Sequence, residues 1–203
     1  RGWEPVASSL IHLDNSGVLA GKECVKIKKR NVEFSGIKSN IFIEIPSSNY
    51  GDLFTFSAYV KVPENEASGE FVISILWFTE GKTYITSSDS LGQNLTSADD
   101  WTRLTETAAM PDNAFYAQDR VVQTNKGAAG ASFLVDAVQF EIGSEASEFK
   151  DKLSLSEEKT LVNKALTRKS RIPASAGMDL RADIQLGDLV FNTVDSDGFV
   201  FVI

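Results

Sequence analysis

Sulfur and imidazole side chains are scarce in this sequence, which has one cysteine, Cys24, and one histidine, His12, among 203 residues. A single cysteine excludes an internal disulfide and a zinc site built from cysteines. His12 lies in SSLIHLDNSG, and no motif around it positions the base of a catalytic triad, so we interpret it as a surface histidine. The chain also lacks a nucleophile elbow, a phosphate-binding glycine loop and a histidine-rich metal motif. These absences predict that the protein is not an enzyme.

Basic charge and long apolar runs are also in short supply. Lys and Arg number 20 against 28 Asp and Glu, which gives a formal net charge of −8 at pH 7. Nucleic-acid backbones and anionic membrane surfaces attract clustered basic residues, so neither is an expected partner. No apolar run reaches the length of a membrane span, which predicts no membrane insertion.

Short alternating segments of β type fill residues 1–148. In FTFSAYVKV (54–62), Phe54, Phe56, Ala58 and Val60 fall on one face, opposite the polar side chains. Turn signals separate this segment from others of the same kind, and no long helical period intervenes. The pattern predicts an all-β fold, an antiparallel β-sandwich of the jelly-roll kind. The other predicted strands are LAGKECVKI (19–27), NIFIEIP (40–46), FVISILWF (71–78), TEGKTYIT (79–86), DDWTRLTETAAMP (99–111), AFYAQDRVVQT (114–124) and FLVDAVQFEIG (133–143).

The pattern changes near residue 148. Ser154 followed by Glu157 forms a capping-box pattern before an apolar stripe, which predicts a helical linker over 149–170. Residues 171–203 resume β character and predict the start of a second β domain or an assembly segment. The first residue is not Met and the last residues form an apolar run, so we expect a fragment of a longer polypeptide. Two short strands hold no core of their own, so we expect them to pair with another part of a longer chain or with a neighbouring subunit, and the second case favours a homo-oligomer.

Sugar binding is the favoured chemistry for the aromatic residues. Sugar rings stack their C–H faces on flat aromatic side chains, while their hydroxyl groups bind amide and guanidinium groups. Tyr116, Gln118 and Arg120 share one face of a predicted strand. An ordinary solvated face is the alternative for these residues. A core position is the alternative for Trp77, and Trp3 and Trp101 are interpreted as packing residues. The predicted glycan-binding residues are Trp77, Tyr84, Tyr116, Gln118 and Arg120.

Asp136 raises a separate question. Strict alternation in FLVDAVQFEIG places it on the same side as Leu134, Val138 and Phe140. A carboxylate on an apolar face is costly unless a partner satisfies it. One interpretation is that Asp136 accepts backbone N–H bonds from an adjacent N-terminal loop.

Four segments, in this order, resemble a galactose-binding-like jelly-roll domain of the carbohydrate-binding-module type: LAGKECVKI, FTFSAYVKVP, DDWTRLTETAAMP and FLVDAVQFEIGSEASEF. The resemblance spans residues 1–149. Its ending, E-x-G-x-x-A-x-x-F, is similar to that of tail and baseplate proteins of bacteriophages. The segment after residue 164 is also similar to the entry into another domain of a phage minor tail protein.

The resemblance implies a structural calcium ion at Asp136. In such domains this aspartate acts with backbone carbonyls near the G-K motif, here Gly21 and Lys22, and with an acidic residue of the first strand. Glu4 is the candidate for that last role. Calcium takes about six to eight oxygen ligands, so Asp136 cannot form the site alone.

The resemblance also implies a function and a location. We expect a non-catalytic adhesion module of a phage tail tip, located on the virion, that binds bacterial surface glycans and contacts other tail proteins. One rival is a purely structural tail protein, in which the aromatic residues are buried or lie in a subunit interface. Another is a carbohydrate-binding module of a bacterial glycoside hydrolase.

Overall fold

A computed structural model describes residues 2–7, 9–28, 32–125 and 131–149. In this part of the chain the regular elements are β-strands and one short 3₁₀ turn, Ser47–Asn49. No helix of the described residues is long and apolar enough to cross a membrane. The strands are β1 (Trp3–Val6), β2 (Leu10–Asp14), β3 (Cys24–Lys28), β4 (Ser35–Ser39), β5 (Ile43–Glu44), β6 (Leu53–Lys61), β7 (Gly69–Phe78), β8 (Tyr84–Asp89), β9 (Gln93–Leu95), β10 (Thr102–Ala109), β11 (Tyr116–Gln123) and β12 (Ser132–Ile142).

The strands form two antiparallel sheets. The first sheet has the order β1-β4-β11-β7-β8, with β5 paired to β11 and β9 paired to β7. The second sheet has the order β10-β6-β12-β3-β2. Several neighbouring strands are distant in the sequence, as the β11–β4 pair illustrates, whereas β2–β3 and β7–β8 are consecutive. The predicted all-β antiparallel sandwich is confirmed.

The core lies between the two sheets and follows the alternation of the sequence. Side chains of β6 and β7 that point inward are at most 1% exposed, whereas the outward positions of β6 are polar. Burial of one large apolar side chain contributes about 1.5–3 kcal/mol, so these two strands supply much of the driving force. The inward residues are Phe54, Phe56, Ala58, Val60, Phe71, Ile73, Ile75 and Trp77.

Strand β12 departs from strict alternation. Asp136 lies opposite Tyr59 and Gln139 lies opposite Ser57, so three positions of β12 span two positions of β6. Ala137, inside this bulge, has a φ of 50°. An extra residue reverses the inside and outside positions that follow it. Phe140 therefore packs in the core while Asp136 lies on the outer face. The expectation that Asp136 and Phe140 share a side was wrong for this reason.

The predicted second part of the chain cannot be compared with the structure. The helical linker over 149–170, apart from its first residue, and the β segment over 171–203 lie outside the described residues. Both stay predictions.

Candidate functional site

The outer face of the first sheet carries most of the predicted sugar-binding residues. Tyr116, Gln118 and Arg120 alternate along β11 and point outward, because Ala117 and Val121 fill the core side. β11 lies between β4 and β7, which places the three side chains in the middle of the sheet. We call this surface the first-sheet face.

An aromatic cluster forms one end of the first-sheet face. The Phe42 ring contacts the rings of Phe78 and Tyr116 edge-on, with centroid separations of 5.0 and 5.8 Å. Phe78 contacts Tyr84 in the same manner at 5.9 Å. Tyr84 is 55% exposed and Tyr116 is half-buried, so both reach solvent. Two of the predicted aromatics are therefore accessible beside Gln118.

Lys82 covers part of this cluster. Its ammonium group lies 4.8 Å from the centroid of the Phe42 ring and 5.4 Å from that of Tyr116. Cations are attracted to the faces of aromatic rings in this geometry. Sequence reasoning missed Phe42, Phe78 and Lys82, which come from three separate segments. The alternation of NIFIEIP and FVISILWF carried the signal for Phe42 and Phe78, since both fall opposite the core residues.

Paired charges form the other end of the face. The Arg120 guanidinium donates from Nε and Nη2 to Ser74 Oγ at 3.1 and 2.9 Å. Nη2 also donates to Asp89 Oδ1 at 2.9 Å. Lys38 forms a further ion pair with Glu4 at 2.8 Å. These pairs neutralise the charges on this end of the surface.

Gln118 forms part of the floor between the two ends. It lies opposite Leu76 in the register of β11 and β7, and it is 2% exposed. Its Oε1 atom accepts no hydrogen bond from the described residues. An unsatisfied buried acceptor costs about 1–3 kcal/mol, which favours an ordered water as its donor.

Trp77 does not belong to this surface. Its side chain is fully buried, packs edge-on against Phe54 at 5.9 Å and donates from Nε1 to Ser88 Oγ at 3.2 Å. The parity of β7 accounts for this placement, because Phe71, Ile73, Ile75 and Trp77 all point inward. The assignment of Trp77 to glycan binding is corrected to a core residue. Trp3 packs against the same core, as expected for a packing residue.

Asp136 is satisfied by backbone amides. Its Oδ2 atom accepts the N–H groups of Leu19 and Ala20 at 2.9 and 3.1 Å, and Oδ1 accepts that of Ala137 at 2.7 Å. This is the arrangement expected if the aspartate anchors an N-terminal loop. Gly21 in that loop has a φ of 71°, a conformation that glycine adopts readily.

The residues around Asp136 do not fit a calcium site in this conformation. Both carboxylate oxygens of Asp136 already accept N–H groups. Those hydrogen bonds use lone pairs that a calcium ion would need as ligands. Within the described ranges, no group of three or more His, Cys, Asp or Glu side chains could hold a metal ion. The roles of Asp136, Gly21 and Lys22 in calcium binding stay a prediction.

The two scarce residue types lie away from the first-sheet face. His12 is exposed on β2, opposite Lys26 of β3. Cys24 is buried, and desolvation, reinforced by the nearby carboxylates of Asp136 and Asp14, raises the pKa of its thiol to about 11. Such a thiol is inert near neutral pH.

Comparison with known proteins identifies the fold. No protein-family model and no curated protein match the sequence. The CBM22-1 xylan-binding domain of Paenibacillus barcinonensis Xyn10C is similar with a TM-score of 0.56 and 14% identity, over 71% of this chain and 88% of that chain. The C-terminal family 22 carbohydrate-binding module of Clostridium thermocellum Xyn10B gives a TM-score of 0.57 and 15% identity, over 72% of this chain and 89% of that chain.

A phage protein also matches, but more distantly. Tailspike protein 4 of bacteriophage CBA120 gives a TM-score of 0.45 and 12% identity, over 68% of this chain and 18% of that chain. This likeness is too low to support a phage setting, which stays a prediction. From the stronger matches, the chain has the two-sheet jelly-roll fold of the carbohydrate-binding modules.

Proposed function

We propose that this chain is a non-catalytic carbohydrate-binding module whose ligand lies on the first-sheet face. The observation that carries the proposal is the aromatic cluster on this face, in which Tyr84 is exposed and Tyr116 is half-buried on the same side of β11 as Gln118 and Arg120. The rings of Tyr84 and Tyr116 offer stacking surface to a sugar ring. A purely structural role predicts aromatics that are buried or lie in a subunit interface, and the exposure of Tyr84 in the single chain argues against the first of these.

The paired charges favour a neutral glycan. Arg120 and Lys38 are neutralised by Asp89 and Glu4, so an acidic sugar would gain little attraction on this face. The Paenibacillus barcinonensis domain named above is described as xylan-binding, and xylan is therefore the first ligand to test.

Affinity electrophoresis in gels that contain xylan tests the proposal, followed by calorimetry with oligosaccharides. We expect retardation that weakens roughly threefold to tenfold in Tyr84→Ala and Tyr116→Ala, since an aromatic contact contributes about 0.5–1.5 kcal/mol beyond its area. Tyr50→Ala is the matched control, because Tyr50 is exposed in a turn outside the cluster. Two outcomes would contradict the proposal. In one, all three variants are retarded equally; in the other, no glycan retards the wild-type protein.

Two biological settings fit this function. In the first setting, which the sequence resemblance implies, the module belongs to a phage tail tip, contacts other virion proteins and binds glycans of the bacterial surface. The C-terminal segment predicted to form strands favours a homo-oligomer in this setting. The solved relatives equally support a module of a glycoside hydrolase. A panel of cell-wall glycans beside plant xylans separates the two settings, since preference for the former supports the phage setting. Light scattering then tests the oligomer.

A further inference from the structure

A second polar cluster lies on the outer face of the second sheet. Arg103 of β10 lies opposite Tyr59 of β6, and its guanidinium carbon is 5.6 Å from the centroid of the Tyr59 ring. Nη2 of Arg103 donates to Gln139 Oε1 at 2.6 Å and to Ser57 Oγ at 2.9 Å. We call these four residues the Arg103 cluster. Because the sheets pack face to face, the cluster and the first-sheet face lie on opposite outer surfaces.

The charge of Arg103 is not compensated. Among the described residues, ion pairs involve Lys26, Lys38, Lys61 and Arg120 but not Arg103. The carboxylates of the adjoining strand are engaged elsewhere: Asp136 accepts backbone amides, and Glu141 accepts from the backbone and side chain of Ser147. In a chain of net charge −8, an arginine bound only to neutral oxygens is notable.

The cluster also has unused donors. Arg103 Nε and Gln139 Nε2 are buried, and neither has an acceptor among the described residues. Gln139 is 1% exposed although it lies on the outer side of its sheet. Buried polar groups normally find partners, so two orphan donors beside one uncompensated cation favour an acceptor that carries negative charge.

We propose that the Arg103 cluster binds the carboxylate of an acidic sugar, a uronic acid unit, at a site separate from the first-sheet face. Both N–H groups of Arg103 Nη2 are used by Gln139 and Ser57, so a carboxylate would accept a single charge-assisted hydrogen bond from Nε. The Tyr59 ring packs against the Arg103 guanidinium, and the hydrogen bonds to Ser57 and Gln139 fix its orientation.

Titration of the ¹⁵N-labelled chain with galacturonate, galactose and acetate, followed by NMR, tests the site. We expect galacturonate to shift the side-chain signals of Arg103 Nε and Gln139 Nε2, with galactose at least tenfold weaker. Arg103→Ala removes a charged hydrogen bond and should weaken galacturonate binding roughly tenfold to a hundredfold. Lys26→Ala is the matched control, because Lys26 is a cation of the same sheet that is already paired with Asp14, and it should leave the titration unchanged.

A second variant guards against a folding defect. Gln139→Glu places a carboxylate within the chain beside Arg103, so it should abolish galacturonate binding without lowering the melting temperature. Equal shifts with galactose would overturn the proposal, as would shifts that persist in both Arg103→Ala and Gln139→Glu. Acetate as strong as galacturonate would overturn the sugar assignment. Tyr84→Ala separates the two faces: it should weaken xylan binding and leave galacturonate binding intact.

Discussion

The carboxylate of Asp136 accepts the backbone N–H of Leu19 at 2.9 Å, across 117 residues of sequence. This contact attaches the loop before β3 to the last described strand. Leu134, which is two residues before Asp136 on β12, also lies close to this loop. A Cβ added at Gly17 would be 3.1 Å from a methyl group of Leu134. The bulge in β12 allows the contact, since it keeps Asp136 outside while Phe140 remains in the core.

Removal of the Asp136 carboxylate should loosen this loop. Asp136→Ala leaves the amides of Leu19, Ala20 and Ala137 without their acceptor. A hydrogen bond to a charged group contributes about 1.5–3 kcal/mol, and we expect a loss of at least that size in urea denaturation. Asp52→Ala, at an exposed turn, is the control. An unchanged midpoint for Asp136→Ala would show that the loop is held by other contacts.

Calcium gives a separate test of the same residue. Because backbone amides occupy both oxygens of Asp136, we expect no change in melting temperature when calcium replaces a chelator. A ligand at ten times its Kd would add about 1.4 kcal/mol, or roughly 3–6 °C. A rise of that size that disappears in Asp136→Ala would instead establish the calcium site implied by the resemblance.

Stability should fall as pH rises toward 8 because of Asp119. This residue is 1% exposed on the core side of β11, opposite Ile75, and desolvation raises its pKa to about 8. The folded state then holds a proton that the unfolded state releases near pH 4. The contribution of Asp119 to the free energy of unfolding is therefore greatest below pH 4. It declines between pH 4 and pH 8, by at most about 1.4 kcal/mol per pH unit.

Asp119→Asn isolates that effect. The amide cannot ionise, so the variant should melt above the wild type at pH 8 and lose this pH dependence. Thermal melts from pH 5 to pH 9 measure the difference. A parallel pH profile for the two proteins would show that Asp119 does not titrate in this range.

Trp77 should matter for stability and not for sugar binding. Trp77→Ala removes a fully buried indole and should cost about 3–5 kcal/mol. Trp77→Phe should cost less and keep its affinity for any glycan, because the side chain lies beneath the first-sheet face. A Trp77→Phe protein with unchanged stability and reduced affinity would return Trp77 to the binding site.

Gly36 should tolerate no side chain. A Cβ at this position would lie 2.0 Å from the backbone oxygen of Val121, where β4 pairs with β11. We expect Gly36→Ala to unfold the sheet or to yield insoluble protein. Gly81→Ala is the control, since its nearest neighbour would be Thr79 Oγ1 at 3.8 Å. Circular dichroism of the two purified variants distinguishes them.

Local patterns anticipated the sandwich and part of the site. The alternation of FTFSAYVKV predicted β6 with its buried face, and AFYAQDRVVQT placed Tyr116, Gln118 and Arg120 on one side of β11. Both predictions succeed because side chains repeat every second residue in a regular strand, whatever its neighbours are.

The sequence by itself therefore determined the strand type and the parity of each regular strand. Only the tertiary structure decided which outward residues meet, because antiparallel pairing joins segments far apart in the chain. Phe42 and Lys82 meet Tyr116, and Phe78 meets Phe42, through such pairing. The tertiary structure also decided that Trp77 is buried, because the facing sheet covers it. It decided that Asp136 and Phe140 lie on opposite sides of β12, because a one-residue bulge separates them. Periodicity cannot register a bulge, since it is a change in pairing and not in composition.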